Sequence, residues 1–373
     1  KPWKPSMPSN SEIRLERAEV KAWLLEQDPQ ALEGLWSKAD LVRAAHVGDE
    51  VHLRGLIEAS SHCVRSCLYC GLRAPSQGLE RFRIDGAEIL ACAQEAARLG
   101  YGSVVIQAGE DPGLTRELIA DAIRAIKRET PLAITLSLGE RSDEDLRAWR
   151  DAGADRYLLR FETGDPLLYR RIHPSLPGRH SNRFAQLARM RAMGYEIGTG
   201  VMVGIPGQTW DTLAADILRF RDFDMDMIGV GPFLPSPRTP LGGPEAACFV
   251  AAPEEQVPND ELTTLKVVAL TRLVCPDANI PSTTALATLN RAQGRELALA
   301  RGANVVMPNV TPAAYRVLYE IYPGKACIQE TAAVCQGCLE GRIQALGRRI
   351  GRGPGGRGQH LSNLRPGDLP AAP

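Results

Sequence analysis

The chain has 373 residues, with 44 Lys and Arg against 44 Asp and Glu, so its formal net charge is zero. That balance argues against a nucleic-acid surface or a polybasic membrane anchor. No apolar run reaches the roughly 18–20 residues that a membrane-spanning helix needs, and Lys1-Pro2-Trp3-Lys4 leads into polar sequence without the apolar core of a secretion signal.

Residues 11–47 read as two helices, Ser11 to Gln27 and Pro29 to Val47, with apolar residues recurring near every 3.6 positions. They form an N-terminal extension over 1–50 and are expected to cap the base of the strand-and-helix region after them. From Val51 strands alternate with helices. The strand candidates are 51–59, 101–107, 132–138, 155–161, 195–203, 226–230, 279–285 and 303–307. The helix candidates are 85–99, 115–129, 142–152, 182–193, 209–222, 261–275 and 291–301, with 312–321 after the last strand. Several end at a glycine (Gly100, Gly153, Gly194, Gly302), the residue favoured just past a helix C-terminus. Strict alternation predicts a parallel sheet. Eight repeats predict an α/β fold, a complete (β/α)8 barrel over 51–322; an open doubly wound sheet is the alternative. The Pro- and Gly-rich stretch 232–258 reads as a long functional loop. Residues 323–350 carry a second cysteine group and a C-terminal helix, and the Gly- and Arg-rich tail from Gly347 is expected to be loosely packed, with 351–373 flexible.

The chemistry begins directly after the first strand. Ser61 to Gly71 holds Cys63, Cys67 and Cys70, spaced C-x3-C-x2-C. Three thiolates on so short a loop can converge on one metal centre. They cannot fill the four cysteine positions of an ordinary [4Fe–4S] cluster, so one iron is left open, as in a catalytic metal site. Zinc completed by His62, or three buried thiols, are the competing readings. Cys327-x7-Cys335-x2-Cys338 repeats the theme beyond the last strand; an Fe–S cluster, zinc and inert thiols all remain open. The clustering is unlike a secreted disulfide framework and points to metal ligands in a reducing cytoplasm.

Other strand ends add polar groups. Gln107-Ala108-Gly109-Glu110 closes the second strand, where small residues let backbone approach a ligand, or simply make a turn. Arg160 and Glu162 alternate onto one face of the fourth strand, as mouth residues or as a structural pair. Arg183, at a helix start, has the planar fork that clamps a carboxylate, or is a surface cation. Gly204-Ile205-Pro206-Gly207 turns after the fifth strand.

The cysteine loop resembles the signature of the radical S-adenosylmethionine (SAM) enzymes. That resemblance implies that the open iron chelates the amino and carboxylate groups of SAM. An electron from the cluster then gives methionine and a 5′-deoxyadenosyl radical. It implies SAM-binding roles for Tyr69, Gln107, Glu110, Ser137, Glu162, Arg183 and Met202, with Tyr69 at the adenine. More narrowly, Cys67-Leu-Tyr-Cys-Gly-Leu-Arg73, Gln107-Ala-Gly-Glu-Asp-Pro112, Thr135-Leu-Ser-Leu-Gly-Glu140, Met202-Val-Gly-Ile-Pro-Gly-Gln-Thr209 and Ala303-Asn-Val-Val-Met-Pro-Asn309 resemble the HydE family of [FeFe]-hydrogenase maturases. So does the spacing of the second triplet, which the biotin and methylornithine synthases lack.

The family resemblance implies assembly of the diiron part of the hydrogenase H-cluster. The radical would attack the sulfur of a cysteine-bound iron dicarbonyl cyanide. HydG-type and HydF-type maturases, and a ferredoxin or flavodoxin reductant, are the implied partners. Such a substrate is anionic, so Arg160, Thr283 and Thr284 are expected anchors, with Tyr319 and Tyr322 beside the cavity. Cys327, Cys335 and Cys338 are expected to hold an accessory second cluster, [2Fe–2S] or [4Fe–4S]. Phe161 stands where the family motif leads one to expect His, so ligand handling is expected to differ there. A methylornithine- or biotin-synthase-like enzyme and a non-catalytic Fe–S scaffold are the alternatives.

Overall fold

A computed structural model describes residues 14–330 and 332–358. Eight strands lie where the periodicity puts them: β1 (Glu50–Ser60), β2 (Ser103–Ala108), β3 (Ala133–Ser137), β4 (Arg156–Leu158), β5 (Glu196–Val203), β6 (Met227–Pro232), β7 (Pro281–Ser282) and β8 (Val305–Val306). They pair in the order β6-β5-β4-β3-β2-β1-β8-β7, all in parallel. Met227 bridges to Asn279, joining β6 to the start of β7. The sheet therefore closes into a (β/α)8 barrel, and the open-sheet alternative falls. Closure leaves no unpaired sheet edge.

Strand β1 explains how sequence sorts the two faces. Val51, Leu53, Ile57 and Ala59 pack outward into the core between sheet and helices. Arg54, Leu56 and Glu58 take the alternate positions and line an internal cavity. The β1–β2 register shifts between Glu58 and Ser60, immediately before the cysteine loop. Such an irregularity re-aims the chain where a site begins.

The outer layer consists of α1 (Arg17–Leu25), α2 (Pro29–Val47), α3 (Gly86–Arg98), α4 (Arg116–Glu129), α5 (Asp143–Ala152), α6 (Pro166–Ile172), α7 (Arg183–Ala192), α8 (Trp210–Asp222), α9 (Glu261–Val274), α10 (Thr284–Leu289), α11 (Gly294–Leu299), α12 (Ala313–Arg316) and α13 (Ala332–Ala345). Helix α4 is representative. The Thr115 side chain accepts from the Leu118 N–H, and Ile119, Ile123 and Ile126 form its buried stripe. Each such side chain contributes about 1.5–3 kcal/mol on burial. Two helices were not expected: α6, capped by Asp165 with Pro166 at its first position, and α10, capped by Thr283. Thr283 and Thr284 thus leave the strand assigned to them and open a helix. The first helix begins at Arg17, and positions 11–13 lie outside the described residues. Helix α1 packs on α8 and α9, and α2 on α9, so the N-terminal helices lie on the barrel's flank instead of capping its base. Among the described residues no helix is long and apolar enough to cross a membrane.

The base is closed by the tail. Strand β9 (Arg349–Ile350) pairs with the start of β1. The Gly355 carbonyl accepts from Arg54 and from Asn279, both at 3.1 Å, and Arg156 donates to the Pro354 carbonyl at 2.9 Å. Arg357 fastens the end of the strap to Asp277 at 2.9 Å and to Asp224 at 2.6 Å. The expectation of loose packing from Gly347 therefore fails for 347–358; residues 359–373 lie outside those described. Glycine is required here by shape. Gly353 and Gly355 have φ of 71° and 58°, in the left-handed region. A Cβ at Gly102 would collide with the Gly353 carbonyl.

Gly102→Ala is expected to expel the strap. The cost should be about 1–3 kcal/mol, read as a lowered Tm together with new proteolytic cleavage within 349–358. Unchanged stability and protease resistance would refute the plug.

Candidate active site

A cavity of about 340 Å³ occupies the barrel interior. Cys63, Tyr69 and Cys70 line one part of it, and Cys327 and Cys335 another, so both cysteine groups open onto the same space. Gln107, Ser137, Arg160, Glu162, Met202, Thr283, Thr284, Tyr319 and Tyr322 line it as expected. Cys67, Glu110, Arg183 and Cys338 do not.

The cysteine loop is held by backbone bonds to four distant segments. Val64 N–H donates to Glu110 O at 2.9 Å, Leu68 to Ile172 O at 2.8 Å, Gly71 to Ile321 O at 2.8 Å, and the Leu68 carbonyl accepts from Leu241 at 3.1 Å. The last contact comes from the 232–258 loop, which contains two short 3-10 turns. Burial raises the pKa of all three thiols, that of Cys67 to about 12. Their deprotonation therefore depends on a positive partner such as iron.

His173, which belongs to none of the motifs above, stands behind Cys67. Its Nδ1 lies 2.9 Å from Cys67 Sγ, and its Nε2 accepts from Arg183 at 2.9 Å. Burial, with Arg183 adding to it, lowers the imidazole pKa to about 4. The ring is thus neutral, with its proton on Nδ1 directed at the sulfur.

Glu140, also unassigned from sequence, ties this frame together. Its carboxylate meets Arg65 at 3.1 Å, Arg183 at 3.0 Å and the Ser181 hydroxyl at 2.6 Å. Burial alone would raise its pKa. Arg183, Ser181 and Arg65 together hold it well below the usual carboxylate range. Glu110 joins the same frame, accepting from Arg65 at 2.9 Å and from the Glu140 N–H at 3.0 Å. Glu110 and Arg183 were expected at the ligand. Neither lines the cavity described above; Glu110 pairs with Arg65 and Arg183 with Glu140.

Arg160 and Glu162 do line the mouth, by a different route from simple strand alternation. Strand β4 stops at Leu158, and Glu162 adopts φ 61°. A non-glycine residue in that region is a strained position typical of functional sites. Its carboxylate lies 3.2 Å from Arg160, and burial raises its pKa. Phe161 points the other way. It is 1% exposed and packs on Phe184 and Phe220, with ring centroids 4.8 and 5.7 Å away. Its departure from the family motif therefore reaches the helix layer and not the cavity. Tyr69 and Met202 lie over a small separate apolar cluster that includes Leu168, Ile172, Ile205, Phe233 and Leu241.

Deeper in the cavity, Lys325 Nζ lies 2.6 Å from Glu58 Oε1 and 3.3 Å from the Tyr319 carbonyl, and Gln107 donates to the Tyr319 hydroxyl at 3.2 Å. Burial raises the Glu58 pKa against the pull of Lys325. The available signal for Glu58 was a carboxylate in an otherwise buried strand.

A sequence model of the Radical SAM superfamily matches residues 57–219, which carry the cysteine loop and strands β2 to β5. The chain is 44% identical over 349 residues to the [FeFe] hydrogenase maturase subunit HydE of Thermotoga maritima, covering 92% of this chain and 96% of that protein. The chain belongs to the HydE family and is a radical SAM enzyme. It is 28% identical over 299 residues to the 3-methylornithine synthase of Methanosarcina acetivorans, 79% of each chain. Two solved structures share the fold. Methylornithine synthase (PylB) matches with TM-score 0.75 at 23% identity, covering 94% of this chain and 97% of its own. The [FeFe]-hydrogenase maturase HydG matches with TM-score 0.67 at 18% identity, covering 84% and 69%.

The donor set suits the [4Fe–4S] cluster and SAM that the family implies. Among the described residues no three His, Cys, Asp or Glu groups are arranged to hold a single metal ion. A cluster that takes one thiolate per iron needs its cysteines set apart around it. Cys63 and Cys70 lie on the cavity wall, and Cys67 stands close enough to both for the thiols to affect one another. In the second triplet, Cys335 and Cys338 are three apart on α13 and so lie side by side. Cys327, at φ 61°, is stabilised as a thiolate by a hydrogen bond with Cys335 and by Arg295 at 3.6 Å.

The turn that aims Glu162 is held from behind by buried Asp216, which accepts from Gly164 N–H at 2.9 Å and pairs with Arg219 at 2.8 Å. Burial pushes the Asp216 pKa from 3.8 up to about 7. The folded state therefore binds this proton more tightly than the unfolded chain, and its stabilising effect is lost as pH rises from 3.8 to about 7. Asp216→Asn keeps the acceptor for Gly164 without the titration. The variant should gain on wild type in Tm across that interval; a constant difference would contradict the assignment.

Proposed function

We propose that this chain is a maturase of [FeFe]-hydrogenase that works on an anionic, cysteine-bound iron dicarbonyl cyanide. The observation that supports this most directly is a single cavity joining the cysteine loop to Arg160, Thr283, Thr284, Tyr319 and Tyr322. When bound, the reduced cluster and SAM supply a 5′-deoxyadenosyl radical, whose target here is the sulfur of the substrate's cysteine.

The protein's part is to hold and orient. Cys63, Cys67 and Cys70 ligate the cluster, with His173 directing an N–H at Cys67. Tyr69, Gln107, Ser137, Glu162 and Met202 on the cavity wall receive SAM, Tyr69 at the adenine. Glu110 and Arg183 act from behind, through Arg65, Glu140 and His173. Arg160 and the threonine hydroxyls at the start of α10 take the anionic end of the substrate. Thr283 already accepts from the Leu286 N–H at 3.4 Å, which leaves its hydroxyl proton to donate. Cys327, Cys335 and Cys338 hold an accessory cluster. HydG-type and HydF-type maturases and a ferredoxin or flavodoxin are the expected partners. An amino-acid mutase reading has weaker support, at 28% identity against 44%.

Adding the protein to an extract that lacks this maturase should restore hydrogenase activity, and failure to do so would overturn the assignment. Cys67→Ala should abolish 5′-deoxyadenosine formation under dithionite. Cys335→Ala should keep at least about half of it; equal loss in both variants would remove the accessory role.

A further inference from the structure

Native proteins leave few buried polar atoms unpaired, so an unpaired one on a cavity wall marks where a ligand atom belongs. Five lie on this cavity: Arg54 Nε, Glu58 Oε2, Thr135 Oγ1, Arg160 Nε and Arg295 Nη1, while Glu162 Oε2 is already ion-paired with Arg160. A carboxylate acceptor occurs among the guanidinium donors, so the wall is not built for anions alone. Glu162 stands near Tyr69, in the part of the cavity proposed for SAM. Glu58 stands near Tyr319 and Tyr322.

Glu58 is 1% exposed, and Lys325 occupies Oε1 at 2.6 Å, leaving Oε2 open. A carboxylate has room for several donors, so Glu58 can keep Lys325 and accept another. The donor that gains most from a buried carboxylate is a charged or metal-polarised N–H. Among the described neighbours Lys325 is already bound, Gln107 donates to the Tyr319 hydroxyl, and Asn309 offers Glu58 only a neutral amide.

We propose that Glu58 Oε2 receives the amino group of an α-amino acid whose carboxylate is taken by Arg160. This rests on the reading above, that the substrate is bound to cysteine, and it gives Glu58 the recognition of that cysteine's nitrogen. The cavity then reads both ends of the amino acid and leaves the side-chain sulfur for the radical.

The test is binding to the cluster-loaded, SAM-saturated full chain, by calorimetry. The probes are S-methyl-L-cysteine and 3-(methylthio)propionate, which differ only in the amino group. Wild type should bind the amino acid at least about tenfold more tightly, the effect of one charge-assisted hydrogen bond. Glu58→Gln should erase that difference by weakening only the amino acid. Equal affinities in wild type, binding of neither probe, or a variant that keeps the preference overturns the proposal. The wild-type comparison decides alone if the variant fails to fold. A protein that shows the preference yet restores no hydrogenase keeps the amino-group site and loses only the maturation reading.

Discussion

The carboxylate of Glu140 is the point on which the active site hangs. It follows β3, yet it binds Arg65 of the cysteine loop, Arg183 at the start of α7 and Ser181 just before it. Arg183 in turn fixes His173 and the Arg160 carbonyl, next to the residues that aim Glu162. One buried anion thus aligns the loop after β1, the end of β3, the turn after β4 and α7. Buried charges of this kind contribute little net stability when paired, but removing one partner costs about 3–5 kcal/mol. The network therefore selects one geometry more than it stabilises the fold. That geometry sets the three thiols against the cavity.

The other end of the barrel is organised by the opposite means. A glycine-rich strap lays bare backbone against β1, and its Gly355 carbonyl takes the buried Arg54 guanidinium. Burial lowers the Arg54 pKa to about 9, yet it stays charged near neutral pH and so requires acceptors. The strap supplies one, the Gly355 carbonyl, beside the Met227 sulfur. Arg357, paired with Asp277 and Asp224, holds the strap there from outside. A cavity closed at its base limits the water that competes for every polar contact inside.

The repeat of strand and helix was legible because each step is local. Inward and outward residues alternate, caps precede helices, and glycines end them. The cysteine triplets were legible because ligand spacing is also local. What sequence concealed was direction and long-range pairing. Glu110 after β2 and Arg183 at the start of α7 carry the expected chemistry, but their bonds to Arg65 and Glu140 are not legible from spacing. Lys325 and Glu58 are 267 positions apart, and nothing near either one names the other. The strap was misread because Gly and Arg in low-complexity sequence also describe disorder. Only the base of the barrel explains why side chains would be excluded there.

The charges on the cavity wall restrict the ligand further. Arg54, Arg160, Arg295 and Lys325 share this wall with Glu58, Glu162 and the Cys327 thiolate. Near-zero net charge over the whole chain hides this local excess of cations. In a low-dielectric interior such an excess attracts an anion much more strongly than a surface patch does. It also repels cations, so an ammonium can be held only where a carboxylate is immediately at hand. A ligand with negative charge overall and one amino group matches that pattern better than a simple anion or a neutral amino acid. The imbalance supports the anionic, amino-acid-bound substrate proposed above.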